Sequence, residues 1–196
     1  KSIFSDSQEI YKNIIRRNRD KYKQTRTTIK YKENLGIKIE AVNLDQVDEE
    51  NRNILHRACL QIKLSIIKDL KGQLTSKYVN KLDKFGNSPL ILACKLPFKT
   101  YYKERNSIIE ILINSGADIE CIEPINGWTA LHWRCFNGDL LSTKTLINYG
   151  ANFFLPSKHG YFPIDLAGDK HEDLVKYLID IAILYLEKIG DYELLI

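Results

Sequence analysis

Methionine is absent from the 196 residues of this chain. The initiator is therefore not part of it, and the chain is expected to be a processed product or a portion of something longer. Cysteine occurs four times, without the even spacing of a secreted disulfide framework, which points to a reducing compartment. No apolar run reaches the roughly 18–20 residues that a bilayer-spanning helix needs, and no secretory signal is visible. There is no Gly-rich phosphate loop and no Gly-x-Ser-x-Gly elbow, so two common catalytic signatures are missing. Carboxylates are scattered rather than paired. What remains is enough for a core: 44% of the residues are hydrophobic, and the length suits one elongated domain.

Charge is uneven. The net charge is +4, yet residues 1–38 hold eleven Lys and Arg against four Asp and Glu, and the rest holds eighteen against twenty-one. A basic arm precedes a mildly acidic body. Within the arm, Ser5 to about Arg26 reads as a helix with Ile10, Tyr11, Ile14 and Ile15 on one side. Arg16, Arg17, Arg19, Lys21 and Lys23 then form either a dock for an acidic protein, RNA or anionic membrane, or an ordinary solvated face. Nothing in the arm matches a known nucleic-acid module.

The body is organised around a recurrence. Gly127-Trp128-Thr129-Ala130-Leu131-His132 combines a turn glycine, a helix-capping Thr and the start of an apolar stripe. Gly86-Asn87-Ser88-Pro89-Leu90 repeats it, with Pro89 at the first helical position. Gly160-Tyr161-Phe162-Pro163-Ile164 and Asn51-Arg52-Asn53-Ile54-Leu55-His56 repeat it again. The turn residues are 35, 41 and 33 apart, and the helix-ending Gly116 and Gly150 are 34 apart. A period near 33 means one turn and two short helices per unit, stacked as a solenoid.

At these residues the chain resembles the ankyrin repeat family, whose unit reads D-x-x-G-x-T-P-L-H-x-A-A and ends G-A-D. The likeness covers about Asp48 to Leu186. It implies an all-α, ankyrin-type helical repeat solenoid with turn or hairpin loops, here with a basic helical N-terminal extension. The expected layout is an arm and cap at 1–46, a repeat domain at 47–190 and a tail at 191–196. The repeats fall near 48–82, 83–123, 124–156 and 157–190. Repeat two is about seven residues longer than repeat three between Cys94 and Gly116. This places an insertion near 95–102, whose Phe98, Tyr101 and Tyr102 are either a contact loop or local packing.

The resemblance also implies a non-catalytic protein-binding role. It puts the residue after the turn glycine on the concave face where partners bind. Here that position holds Arg52, Asn87, Trp128 and Tyr161, largely residue types that dominate interfaces. Phe85 and Phe136 are expected beside them. His56-x-x-Cys59 and His132-x-x-Cys135 have the look of metal-ligand pairs, but a whole repeat separates them, so four ligands could not converge. Cys59, Cys94 and Cys135 stand where the family has a small Ala, so they are expected to fill core. His56 and His132 are expected to hydrogen-bond turn groups. Arg134 also stands at a buried Ala position and must find a carboxylate or carbonyls. No catalytic group, metal or cofactor is expected.

The last helix, from Glu172 to about Lys188, is too apolar for a solvent-facing end. Leu174, Val175, Leu178, Ala182 and Tyr185 form its core stripe, with Ile179, Ile183 and Leu186 beside it and Ile181 and Leu184 off it. Either the tail or another subunit covers the surplus; another subunit is the preferred reading. The overall expectation is an adaptor subunit of a larger assembly, binding proteins through the concave face and the last helix. Nucleic-acid or anionic-surface binding through the arm is the second reading. The cytoplasm is the expected compartment, with the mitochondrial matrix side an alternative if the N-terminus was processed.

Overall fold

The structure, a computed structural model, describes residues 42–96, 101–168 and 171–189. The chain divides into two compact units, Lys1–Ala41 and Val42–Ile196. The described residues all belong to the second; the five arm cations, Phe98 and the 191–196 tail lie outside them.

Among the described residues the ordered elements are helices. They are α1 Ile54–Gln61, α2 Leu64–Leu70, α3 Ser76–Val79, α4 Pro89–Lys95, α5 Tyr102–Asn114, α6 Ala130–Phe136, α7 Leu140–Asn148, α8 Pro163–Ala167 and α9 Glu172–Ile189. Two layers result. Helices α1, α4, α6 and α8 pack in sequence, each on the next, and α2, α5 and α7 do the same behind them. Each unit also joins its own two helices, α1 to α2, α4 to α5 and α6 to α7. The core lies between the layers and includes Leu55, Ile67, Leu90, Ile108, Leu112, Leu131 and Leu146. Stacking is obligatory, because helices this short bury too little surface alone.

The short front helices start where their caps say they should. Asn53 accepts from the His56 N–H and Thr129 from the His132 N–H, while the His ring returns to the N–H of the cap residue. This is a capping box with His in the place of Glu. Ser88 caps α4 through the Ile91 N–H. At α8 the cap position holds Phe162, which has no acceptor. Asp165 supplies the return half, accepting from the Phe162 N–H at 2.8 Å. The carboxylate thus replaces the expected imidazole, and the turn survives.

Two details depart from the sequence expectation. The linker through Gly72 contains a 3-10 turn at Lys71–Gln73 and the extra short helix α3. The insertion in repeat two is partly absorbed by α5, which has 13 residues against nine in α7.

Ile62 closes α1 at φ 53°, the place that Gly138 takes after α6 at φ 67°. A left-handed backbone costs an L-residue about 1–2 kcal/mol, and a β-branched one adapts poorly. Ile62→Gly should therefore stabilise the protein by ~1 kcal/mol, seen as a higher urea midpoint. A lower midpoint would mean that the packing of Ile62 outweighs the strain.

Candidate functional site

The site is built from turns, and each turn hangs on one side chain. The residues are Asp48, Asp83, Glu123 and Ser157. Asp48 Oδ1 accepts from the N–H groups of Glu50 and Arg52. Asp83 Oδ1 accepts from those of Phe85 and Asn87. Ser157 Oγ accepts from Tyr161. The backbone N–H of each of these residues donates to the far end of its turn, Arg52, Asn87 and Tyr161. Repeat three has one residue more in this turn. There the longer Glu123 reaches the N–H groups of Ile125 and Asn126 at 2.9 and 2.7 Å, and its own N–H donates to Trp128. The extra methylene of Glu matches the extra residue.

Successive turns are also tied to each other. Lys84 N–H donates to Glu50 C=O and Lys158 N–H to Asn126 C=O. Between repeats two and three the matching residue is Pro124, which has no N–H. Its ring lies against Gly86 instead, where an added Cβ would stand 2.4 Å from Pro124 Cγ. The two capping histidines add a second tie, with His56 Nε2 at 2.9 Å from Lys81 C=O and His132 Nε2 at 3.1 Å from Tyr161 C=O. Burial of the ring holds the His56 pKa down to about 4 and lowers that of His132. Both are neutral at pH 7, as single-donor bridges require.

The position after the turn glycine is not a row of exposed contacts. Trp128 is 2% exposed, and Arg52 and Asn87 are buried. The reason lies in the cap geometry. This position is the residue before the N-cap, whose side chain packs on the fourth helical residue as a hydrophobic staple. Trp128 accordingly meets Trp133 with ring centroids 4.6 Å apart and Phe136 at 5.0 Å. The spacing Trp128 to Trp133 was the sequence signal for this. Arg52 turns to the next repeat, with Nε 3.2 Å from Asp83 Oδ2, and also pairs with Glu50. Asn87 Nδ2 bonds Asp83. Arg52 therefore ties two repeats, while Trp128 and Asn87 pack and close within their own, and none of the three is an exposed contact. Tyr161, Phe85 and Phe136 are half-buried, and Tyr101 and Tyr102 are exposed.

What the turns do expose is the residue before each capping side chain. Val47, Leu82 and Ile122 occupy this one place in three successive repeats and are 40, 46 and 48% exposed. Ile125, at the tip of the longer third turn, is 68% exposed. These apolar residues recur in phase with the repeat, yet sequence reasoning passed over them. Their signal was the spacing from Asp48, Asp83 and Glu123, visible once those residues are seen as caps.

Behind the turns, Arg134 is fully buried and finds both kinds of acceptor the sequence demanded. Its guanidinium donates to Asp139 Oδ2 at 3.2 Å and to Leu96 C=O at 3.1 Å. Arg105 also reaches Asp139 Oδ2, at 3.4 Å. Asp139 caps α7 as well, accepting from Ser142 N–H and Oγ. Burial alone would raise the Asp139 pKa, but Arg134, the Ser142 bonds and Arg105 together hold it below the usual carboxylate value. Cys59, Cys94 and Cys135 are buried, and burial pushes the thiols of Cys94 and Cys135 up to about 12. They are inert fillers of a tight core. No helix among the described residues is long and apolar enough to cross a membrane.

The paired helices, the turns closed by Asp, Glu or Ser side chains and the in-phase stacking define a helical repeat solenoid, and comparison with known proteins agrees. The family model described as Ankyrin repeats (3 copies) matches residues 98–185. The Notch-regulated ankyrin repeat-containing protein A of Danio rerio is 32% identical over 78 residues, covering 39% of this chain and 69% of the relative. The Ankyrin repeat and SAM domain-containing protein 6 of Rattus norvegicus is 28% identical over 145 residues, or 70% of this chain. The chain belongs to the ankyrin repeat family. It spans only 15% of the length of that rat relative. Ankyrin repeats generally mediate protein–protein interaction and are typically non-catalytic. One relative, from Lachancea kluyveri, is named palmitoyltransferase AKR1, and the match covers 11% of its length.

Two predictions follow from the buried polar groups. Asp139→Ala would leave two guanidiniums without their shared carboxylate and α7 without its cap. It should cost on the order of 3–5 kcal/mol, read from urea unfolding; a loss under about 1 kcal/mol would show that solvent reaches the cluster. The histidines set the pH response. Their folded pKa values lie below the unfolded value near 6.5, so the unfolded chain takes up the proton first. Stability should be full above pH 6.5 and fall as pH drops toward about 4, by on the order of 3 kcal/mol for His56. His56→Gln should flatten the slope of unfolding midpoint against pH; an unchanged slope would place the proton uptake elsewhere.

Proposed function

We propose that this chain is a non-catalytic protein-binding module, serving as an adaptor within a larger assembly, and that it binds through the apolar row on its turns. The observation that supports this reading is the row itself: Val47, Leu82 and Ile122 in one register place, with Ile125 at the tip of the third turn. Each of these side chains projects from a turn whose backbone is already held by its own cap and by its neighbour. The row is therefore pre-organised, and a partner would order little on binding. Half-buried Phe85, Tyr161 and Phe136, with exposed Tyr101 and Tyr102, extend the apolar and aromatic surface that such a partner could use. Apolar groups left in water in a regular row mark a contact surface.

The test is a double variant, Leu82→Asp with Ile122→Asp. Both side chains are substantially exposed, so the unfolding midpoint should stay within about 0.5 kcal/mol of wild type. Proteins retained by the wild-type chain from source-cell extract should be lost, a drop of tenfold or more in affinity. Retention of the same partners at the same affinity would move the binding face off the turns.

A further inference from the structure

Helix α9 leaves Ile179, Ile183 and Leu184 exposed, while Ile181, expected off its core stripe, is half-buried. The chemistry that the fold sets apart lies instead in the third turn. The chain holds two Asn-Gly pairs, Asn126-Gly127 and Asn137-Gly138. Such a pair is able to close on itself. The backbone nitrogen after the Asn attacks the side-chain carbonyl carbon, and glycine leaves that nitrogen unhindered because it has no Cβ.

The two pairs are matched in most respects. Both glycines have left-handed backbone, at φ 69° and 67°. Both asparagines are half-buried. Each glycine N–H is held by a carbonyl at 3.0 Å, Gly127 by that of Glu123 and Gly138 by that of Cys135. The difference is in the side-chain amides. Asn137 Nδ2 donates to Trp133 C=O at 2.8 Å and to Cys94 C=O at 3.3 Å, so its carboxamide is fixed against two repeats. The Asn126 carboxamide makes no hydrogen bond to any described residue. Only the Asn126 backbone is held, its N–H by Glu123 Oε1 and its C=O by Lys158 N–H. Pro124 and Ile125 beside it are exposed, so water reaches the tip of the turn.

We propose that Asn126 is a site of spontaneous deamidation in the folded protein, and that the fold protects Asn137 in the same dipeptide. Gly127 N bonds to Asn126 Cγ. The proton of that N–H passes through solvent to the departing Nδ2, which leaves as ammonia, and a succinimide closes. Water, the only co-reactant, then adds to one of the two ring carbonyls. Opening at Cγ gives an aspartate with a normal main chain. Opening at the backbone carbonyl gives an isoaspartate, whose main chain runs through Cβ. Turn three then gains a main-chain methylene that Glu123 does not match. The carbonyl that accepted from Lys158 N–H leaves the main chain as a free carboxylate. The site is thus a slow, irreversible loosening of the turn that carries Ile125.

Peptide mass spectrometry of the folded 196-residue chain, aged at mildly alkaline pH, tests it. Giving up the Asn137 side-chain bonds accounts for about a tenfold difference in rate, and Asn126 should convert faster than Asn137 by that factor. In urea, where neither side chain is held, the two sites should convert at similar rates. Asn126→Gln should stop conversion in turn three, because its longer side chain must close a less favourable ring. This variant should keep its unfolding midpoint on ageing, while aged wild type shows a lower one. An Asn126 that stays intact in the folded chain while the chain in urea converts overturns the proposal. So does an Asn137 that keeps pace with Asn126, or a ratio of rates that is the same folded and in urea. Aged protein rich in isoaspartate at this position with an unchanged midpoint overturns the loosening. None of these readouts involves a partner, so their failure leaves the reading of the turn row untouched.

Discussion

The acceptor at the base of each turn is the interaction on which the rest depends. With no sheet among the described residues to take up turn amides, every N–H at a repeat junction needs a side chain or a neighbouring turn. Asp83 is the fullest case. One carboxylate oxygen closes its own turn through Phe85 and Asn87, and the other receives Arg52 from the repeat before. An unpartnered buried amide costs about 1–3 kcal/mol, so losing such a residue would open a turn and detach a neighbour together. Glu123 shows the constraint from the other side: when the turn grew by a residue, the acid grew by a methylene and the bonds remained.

From those turns the helices follow. The cap residues Asn53, Ser88 and Thr129 set where α1, α4 and α6 begin, and the residue before each cap is thereby turned inward, onto its own helix, its own turn or the next repeat. That is why Trp128 stacks on Trp133 and Phe136 in place of facing a partner. It also explains Arg52, which spans to Asp83. What the turns leave exposed is the remainder: apolar residues one step before the capping side chain, at the outer edge of the turn. Rigidity and exposure have one cause, since the backbone that carries Val47, Leu82 and Ile122 is fixed by bonds behind it.

The Arg105–Arg134–Asp139 cluster answers a different need. Repeat two is lengthened, and its connection to α5 cannot copy the shorter link of repeat three. Arg134 fills a place otherwise held by a small residue, and its guanidinium bonds the Leu96 carbonyl at the end of the neighbouring α4. Asp139 pairs with both guanidiniums while capping α7, so this repeat junction holds a buried ion-pair cluster, as Arg52–Asp83 does at the junction before it. Specific buried pairing of this kind favours one register of stacking over others more than it adds stability.

Much of this was legible in the residues alone. Period, caps and helix-ending glycines are local signals, so the repeat fold, the core cysteines and the capping histidines could be read without coordinates. The demand that Arg134 find a carboxylate or a carbonyl was legible too, because burying a bare cation is prohibitively costly wherever it occurs. Which acceptors it found was not: Leu96 and Asp139 come from two repeats, and only packing brings them together. The same holds for surface assignment. Residue type marked Trp128 as a contact and passed over Ile122, but exposure belongs to the stack and not to the side chain. The staple turned the Trp inward, and the turn left the Ile outside. On α9 the sequence determined an excess of apolar residues; packing against the stack decided that Ile181 is half-buried and that Ile179 and Ile183 are exposed.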